Sequence, residues 1–253
     1  MVQVEKVAMG RASRRWLWAW AWALCAALLL AGPMAMARQA PTTPGHVPDT
    51  LQQRIKACTS CHGVHGEGGD NGFNPRLAGK PARYLYNQLL NFRDGRRHYP
   101  LMRHMATGLP DAYLHEIADY FAAQHPVWPV PKPADTPASV LAQGRQLVEQ
   151  GDAARHVPAC QACHGKRLTG REPAIPPLVG LPRDYISNQL GAWRGGTRHA
   201  MAPDCMGKVA SRLTPAQITA VASWLSTRPA PADLTPAAPA SVPLPLTCGG
   251  VSP

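Results

Sequence analysis

Cys58-Thr59-Ser60-Cys61-His62-Gly63 returns along the chain as Cys160-Gln161-Ala162-Cys163-His164-Gly165. The likeness extends well beyond these six positions. Pro75-Arg76-Leu77-Ala78-Gly79 returns as Pro176-Pro177-Leu178-Val179-Gly180. Tyr84, Asn87, Gln88, Leu89, Arg93, Gly95, Arg97 and His98 return as Tyr185, Asn188, Gln189, Leu190, Arg194, Gly196, Arg198 and His199, and Met102 to Leu109 parallels Met206 to Leu213. The same order in both halves implies two copies of one small domain.

C-x-x-C-H is the spacing at which c-type haem is attached. Two thiols add across the two vinyl groups, and the adjacent histidine becomes an axial ligand of the iron. One helical turn lines both thiols up along one porphyrin edge, with the imidazole beneath the metal. The competing readings are a zinc site and a redox dithiol. Zinc would want four ligands together, whereas these pairs head separate repeats. The expectation is therefore two covalently bound c-type haems, held by Cys58, Cys61 and His62 and by Cys160, Cys163 and His164.

Each iron needs a sixth ligand. The first copy offers His98, Met102, His104 and Met105; the second offers His199, Met201, Cys205 and Met206. Met102 lies seven residues before Leu109 and Met206 seven before Leu213, at matching points of the repeat. Met105 corresponds to Val209, and Met201 has no methionine counterpart. The reading is His62 with Met102 and His164 with Met206, with thioether ligation raising the reduction potential. His98 and His199 also correspond, so bis-histidine ligation is the rival. Arg93, Arg97, Arg194 and Arg198 are candidates for haem propionates, or else ordinary solvated charges.

The local pattern is helical, with no alternating strand signal. Ile218, Val221, Ala222 and Leu225 fall on one helical face, and Thr214-Pro215 with Gln217 reads as an N-cap, a proline at the first helical position and a capping box. Leu114, Ile117, Ala118 and Phe121 repeat that spacing, with Pro110 as a poorer start. Helices are also expected from Thr50 to Ala57 and Leu141 to Glu149, leading into each Cys motif, and over Tyr84 to Phe92 and Tyr185 to Trp193. The fold class is all-α. The expected layout is a signal peptide over 1–37, domains over 38–125 and 140–228, a Pro-rich linker over 126–139, and a Pro/Ala-rich tail over 229–253 without regular structure. Domains this small, with few aromatics, are short of core, and a buried cofactor would supply it.

Taken together, the two C-x-x-C-H motifs, the Pro-x-Leu-x-Gly loops, the Asn-Gln-Leu helices with their trailing Arg-x-Gly-x-Arg and the methionine segments resemble the two-haem class I cytochromes of the cytochrome c4 type, over about residues 48–228. The resemblance implies two tandem all-α class I cytochrome c domains, each wrapped around one covalent haem with His/Met ligation. It implies a periplasmic electron carrier whose usual customer is a terminal oxidase. It also implies that the carbonyls of Pro75 and Pro176 accept from Nδ1–H of His62 and His164. The intervals from His62 to Met102 and from His164 to Met206 are somewhat short for the family, so the loop before each methionine is trimmed. The tail with Cys248 lies outside the resemblance.

Arg11, Arg14 and Arg15 precede an apolar run from Trp16 to Ala31, too short for a membrane span, and Ala35-Met36-Ala37 offers a small-x-small cleavage site. Cleavage after Ala37 would export the chain to the periplasm. It removes four of 26 basic and one of 15 acidic residues, leaving 216 residues and a charge of +8. Four propionates would halve that charge, so a nucleic-acid role has little support. Six cysteines remain, and Cys205 and Cys248 are the two that the haem motifs do not claim. An oxidising compartment favours their pairing; the rival is Cys205 as a thiolate ligand.

A six-coordinate His/Met haem has no open position for substrate, which favours electron transfer over catalysis. The expected function is single-electron transfer between a respiratory donor (a quinol-oxidising complex or a dehydrogenase) and a terminal oxidase, with redox proteins as partners and peripheral membrane association left open. The alternatives are a cytochrome subunit of a periplasmic dehydrogenase complex, or a two-haem peroxidase or sulfur-compound oxidase.

Overall fold

The computed structural model describes residues 49–69, 72–131, 135–239 and 243–251. The expected signal peptide, residues 1–37, lies outside the described residues. Among the described residues there are helices and isolated bridges but no strand, and no helix is long and apolar enough to cross a membrane.

The first copy is built from α1 (Leu51–His62), α2 (Ala82–Arg93), α3 (Pro100–Ala106) and α4 (Asp111–Ala122). The second is built from α5 (Ala138–Glu149), α6 (Cys160–His164), α7 (Arg183–Arg194), α8 (Cys205–Arg212) and α9 (Pro215–Ser226). In the first copy α2 packs on α3 and α4, and α1 on α4; in the second, α9 packs on α5 and α7, and α7 on α8. Two separate cores result. Leu114, Ile117, Ala118 and Phe121 of α4 meet Ile55, Leu85 and Tyr86, and Ile218, Val221 and Leu225 of α9 meet Val148, Ile186 and Leu190.

The helix starts follow the sequence chemistry. Thr214 Oγ1 accepts from the Gln217 N–H while Gln217 Oε1 accepts from the Thr214 N–H, a complete capping box at α9. At α4, Pro110 makes no side-chain cap bond, the poorer start expected of it. Gly144 of α5 sits where a Cβ would come 2.1 Å from the Ala220 carbonyl oxygen, so only glycine permits α5 and α9 to cross that closely.

The copies differ before the Cys motif. α1 runs unbroken into Cys58–His62, whereas α5 stops at Glu149 and the chain makes an excursion before α6. Gly151 turns the backbone with φ 78°, Asp152 and Val157 exchange both backbone hydrogen bonds, and the Asp152 carboxylate caps a short 3₁₀ turn, Ala153–Arg155. The short methionine-bearing helices α3 and α8 are the other elements that periodicity did not reveal. Both are too short for an apolar period to register, and Pro100 at the start of α3 and Asp204 as the N-cap of α8 are their local signals.

The Pro-rich segment does not dangle. Arg76 donates to the carbonyls of Pro126 (2.5 Å) and Val127 (3.3 Å) and stacks on Trp128, whose ring lies over Gly180 of the second copy. The tail is docked as well. Ala237 exchanges backbone hydrogen bonds with Gly170 and Glu172, Asp233 pairs with Arg167, and Cys205 and Cys248 form a disulfide. Among its described residues, 229–239 and 243–251, the tail has no helix and is anchored at these points.

Candidate functional site

The last turn of α1 carries Cys58, Cys61 and His62, and α6 consists of Cys160–His164. Both helices end at glycines with left-handed backbone, Gly63 (φ 87°) and Gly165 (φ 83°), which send the chain back toward the Pro75 and Pro176 loops. His62 and His164 are buried, each 7% exposed. His62 Nδ1 lies 2.8 Å from the Pro75 carbonyl oxygen, and His164 Nδ1 lies 2.8 Å from that of Pro176. A carbonyl can only accept, so each Nδ1 carries the proton and each Nε2 keeps its lone pair for a metal. Burial pushes both imidazoles below their ordinary pKa, which favours that neutral, ligating form.

The four motif cysteines are not paired with one another. Burial pushes the thiols of Cys58 and Cys163 up, and that of Cys160 to about 12. A reactive dithiol needs the opposite shift, so the redox-dithiol reading loses its support. Among the described residues no cluster of three or more His, Cys, Asp or Glu side chains could hold a metal, which removes the zinc reading.

Each histidine opens onto its own apolar cavity. The first, about 510 Å³, is lined by Cys58, Cys61, His62, Leu85, Phe92, Met102, Met105 and Phe121. The second, about 190 Å³, is lined by Cys160, Cys163, His164, Ile186, Trp193, Met201, Met206 and Val209. Met102 and Met206 therefore each reach the cavity of their own copy, as the repeat requires, and so do Met105 and its counterpart Val209. His98 borders the first cavity. His199 does not border the second: it is exposed, and its Nε2 hydrogen-bonds the Gly196 carbonyl. The bis-histidine alternative thus has no symmetric partner. Cys205 is consumed by its disulfide, which removes the thiolate alternative.

The arginines divide by position. Arg93 donates to the Leu109 carbonyl and to Asp111, and Arg194 donates to the Leu213 carbonyl, so both clamp a helix to a loop and neither lines a cavity. Arg97 and Arg198 meet each other where the copies join. Their backbones form an antiparallel bridge, with the His98 N–H on Thr197 O (2.8 Å) and the His199 N–H on Arg96 O (2.6 Å). Gln88 Oε1 accepts from Arg97 (3.1 Å) and Arg198 (3.0 Å), and Gln189 Oε1 accepts from the same pair (2.5 Å each). Arg198 is 3% and nearby Lys80 4% exposed, and Arg198 lines both cavities. Among the described residues no ion pair involves Lys80, Arg97 or Arg198. Burial, with Arg97 alongside, lowers the Arg198 pKa to about 10. Burial also pushes the Tyr185 hydroxyl up, but Lys80, Arg97 and Arg198 together outweigh it and pull the hydroxyl down.

Buried cations without carboxylates are costly unless anions join them. This arrangement suits a planar apolar group that brings its own carboxylates to the junction. The buried Trp193 Nε1, a donor without a partner, suits the same group. The donors fit haem: thiols at one edge, a neutral imidazole and a thioether across the cavity, apolar walls, and cations for the propionates. Gln88, Gln189 and Lys80 were not singled out as binding residues by the sequence, although the repeat had marked both glutamines.

Comparison with known proteins agrees. Residues 52–119 match the cytochrome c family model. The chain is 39% identical over 174 residues to the thiosulfate dehydrogenase electron acceptor of Thiomonas intermedia, covering 68% of this chain and 79% of that protein. It resembles the thiosulfate dehydrogenase TsdBA of Marichromatium purpuratum with a TM-score of 0.63 and 36% identity over 71% of this chain, and spans only 39% of that longer chain. It also resembles reduced recombinant cytochrome c4 from Pseudomonas stutzeri, with a TM-score of 0.60 and 30% identity over 70% of this chain and 95% of that one. With its paired Cys-x-x-Cys-His turns, each opening on an apolar cavity in one of two tandem helical domains, the chain belongs to the two-haem class I cytochromes c of the cytochrome c4 type and carries two covalent c-type haems.

Proposed function

We propose that this electron carrier works in the periplasm, taking single electrons from a respiratory donor and delivering them to a terminal oxidase. Haem supplies reversible one-electron exchange when bound. The chain's residues have defined tasks in this reading. Cys58 and Cys61 hold the first group and Cys160 and Cys163 the second. His62 with Met102, and His164 with Met206, would ligate the two irons. Pro75 and Pro176 fix the imidazole orientation, while Arg97, Arg198 and Lys80 hold anionic edges at the junction. The domains are taken as 38–125 and 140–228, with 126–139 between them and export after Ala37.

The observation that carries this reading is the shared wall. Arg198 borders both cavities, so the two sites abut rather than face separate surfaces. Two adjoining one-electron sites suit a relay. The test is a reductive titration of the purified holoprotein, which should take up two electrons reversibly with both irons low-spin and show no peroxidase turnover. Peroxide turnover, or a high-spin ferric iron, would refute it.

A more specific donor is supported by the relatives. The Thiomonas intermedia protein named an electron acceptor of thiosulfate dehydrogenase is 39% identical. In this second reading the donor is a dehydrogenase oxidising a reduced sulfur anion. Stopped-flow mixing with such a dehydrogenase and thiosulfate should reduce the cytochrome within the enzyme's turnover time. Reduction only by a quinol-oxidising complex would exclude it.

A further inference from the structure

The two copies present their cavities to the surroundings differently. Phe73 (72% exposed), Tyr99 (44%) and Leu101 (55%) stand at the mouth of the first cavity. Their counterparts in the second copy are Ala174, Ala200 and Cys205. Over those small residues lies the chain's own end. Leu246, Cys248, Gly250 and Val251 line the second cavity. The Gly249 N–H donates to the Pro203 carbonyl (3.0 Å), Asn87 Nδ2 donates to the Gly250 carbonyl (2.8 Å), and the Cys205–Cys248 disulfide joins the tail to the residue before Met206. A Cβ on Gly249 would come 2.0 Å from the Ala202 carbonyl oxygen, so the fit is too close for any other residue.

We propose that residues 243–251 are a built-in cover for the second haem crevice, and that the matching mouth of the first crevice is the docking face for a redox protein with an acidic, partly apolar surface. The proposal deepens the electron-carrier reading and rests on it. Two observations choose the occupant. Three large apolar side chains grouped at one opening mark an interaction surface, and the second copy shows what such a mouth accepts, an apolar segment with its backbone polar groups satisfied. The segments framing the first mouth, 51–62, 72–80 and 95–109, contain no Asp or Glu, and their Lys56 and Arg103 are exposed. Among the described residues neither cation meets a carboxylate. A partner with carboxylates around an apolar patch satisfies both features, and its attraction is screened by salt.

The experiment uses the full ferric holoprotein and two probes. Imidazole titration, read as loss of the thioether-to-iron charge-transfer band, should proceed in two equal steps, the first at about tenfold lower concentration. Gly249→Val, which pushes the tail off, and Leu246→Asp, which makes it polar, should each draw the second step down to the first. An acidic flavodoxin hydroquinone, mixed by stopped flow, should reduce the wild type with a rate that falls with ionic strength. Leu101→Asp with Arg103→Glu should slow it about tenfold, whereas Lys208→Glu, on the equivalent helix α8 of the second copy, should change it less than twofold. A single imidazole step in the wild type, tail variants without effect, or slowing by Lys208→Glu rather than by the rim variant would overturn the proposal. A first mouth as closed to imidazole as the second would mean that another segment of the chain covers it, which also overturns it. Hexaammineruthenium is the control for the underlying reading. If this small reagent cannot cycle both haems, the carrier function itself fails, whatever the docking face.

Discussion

Replacing Cys248 with serine should destabilise the second domain and leave the first unchanged. The disulfide joins residues 43 apart in sequence. Restricting the unfolded chain to a loop of that size stabilises the folded state by about 4 kcal/mol in the chain-entropy model. Two effects reduce the measured value. Unfolded chains retain some structure, and Cys160 and Cys163 remain bonded to haem in the unfolded state. Anchors elsewhere in the tail, such as the Ala237–Gly170 and Glu172–Ala237 hydrogen bonds, act on the folded state and do not replace the lost constraint. The expected loss is therefore about 2–4 kcal/mol, or on the order of 8–30 °C in Tm for a domain of this size. Guanidinium unfolding followed by the two haem Soret transitions should separate into two steps, with only one displaced. Wild-type protein treated with dithiothreitol should match the variant. A displacement below about 1 kcal/mol, or equal displacement of both steps, would show that the bridge does not restrain this domain.

Cys160→Ala with Cys163→Ala should leave one covalent haem per chain after acidic-acetone extraction; two remaining would break the assignment of one haem to each motif. Met102→His and Met206→His should each halve the thioether-to-ferric band and lower one reduction potential by on the order of 0.1–0.3 V, a modest part of the roughly 0.8 V that axial ligands span. An unchanged spectrum would move the role to Met105 or Met201.

The motif cysteines, their histidines and the methionines were legible because the duplication supplied an internal control. Met102 and Met206 stood out from Met105 and Met201 only by register; all four line the cavities, so the choice among them rests on the repeat. α9 was legible from its capping box and one-sided apolar face. Helices α3 and α8 were not, because seven or eight residues carry too few turns for periodicity to register. The sequence offered Arg97 and Arg198 as propionate candidates but could not separate them from Arg93 and Arg194 or place them where the copies meet. Beside histidines and glycines they resemble solvated charges, and their burial arises only when the second copy packs against the first. The tail was legible only in part: the pairing of Cys205 with Cys248 was expected, but its other anchors were not. Pro- and Ala-rich sequence has little local preference, and what orders it is a disulfide partner and backbone acceptors far away in sequence.

That junction links cofactor attachment to domain assembly. Arg198 and Lys80 are buried and Arg97 is half-buried beside them; the two arginines share the oxygens of Gln88 and Gln189, with the Tyr84 hydroxyl a more distant acceptor of Arg198, and Lys80 lies over the Tyr185 ring. Neutral amide oxygens offset only part of the cost of removing guanidinium groups from water, and the arginines repel one another in the same low dielectric. Tyr185, drawn toward ionisation by these cations, registers the same excess of positive charge. Without further anions these residues carry an uncompensated desolvation cost. Haem carboxylates, which the proposed function places here, would let the same residues act as a shared clamp, and contact between the copies would then be more favourable with both groups attached than with neither.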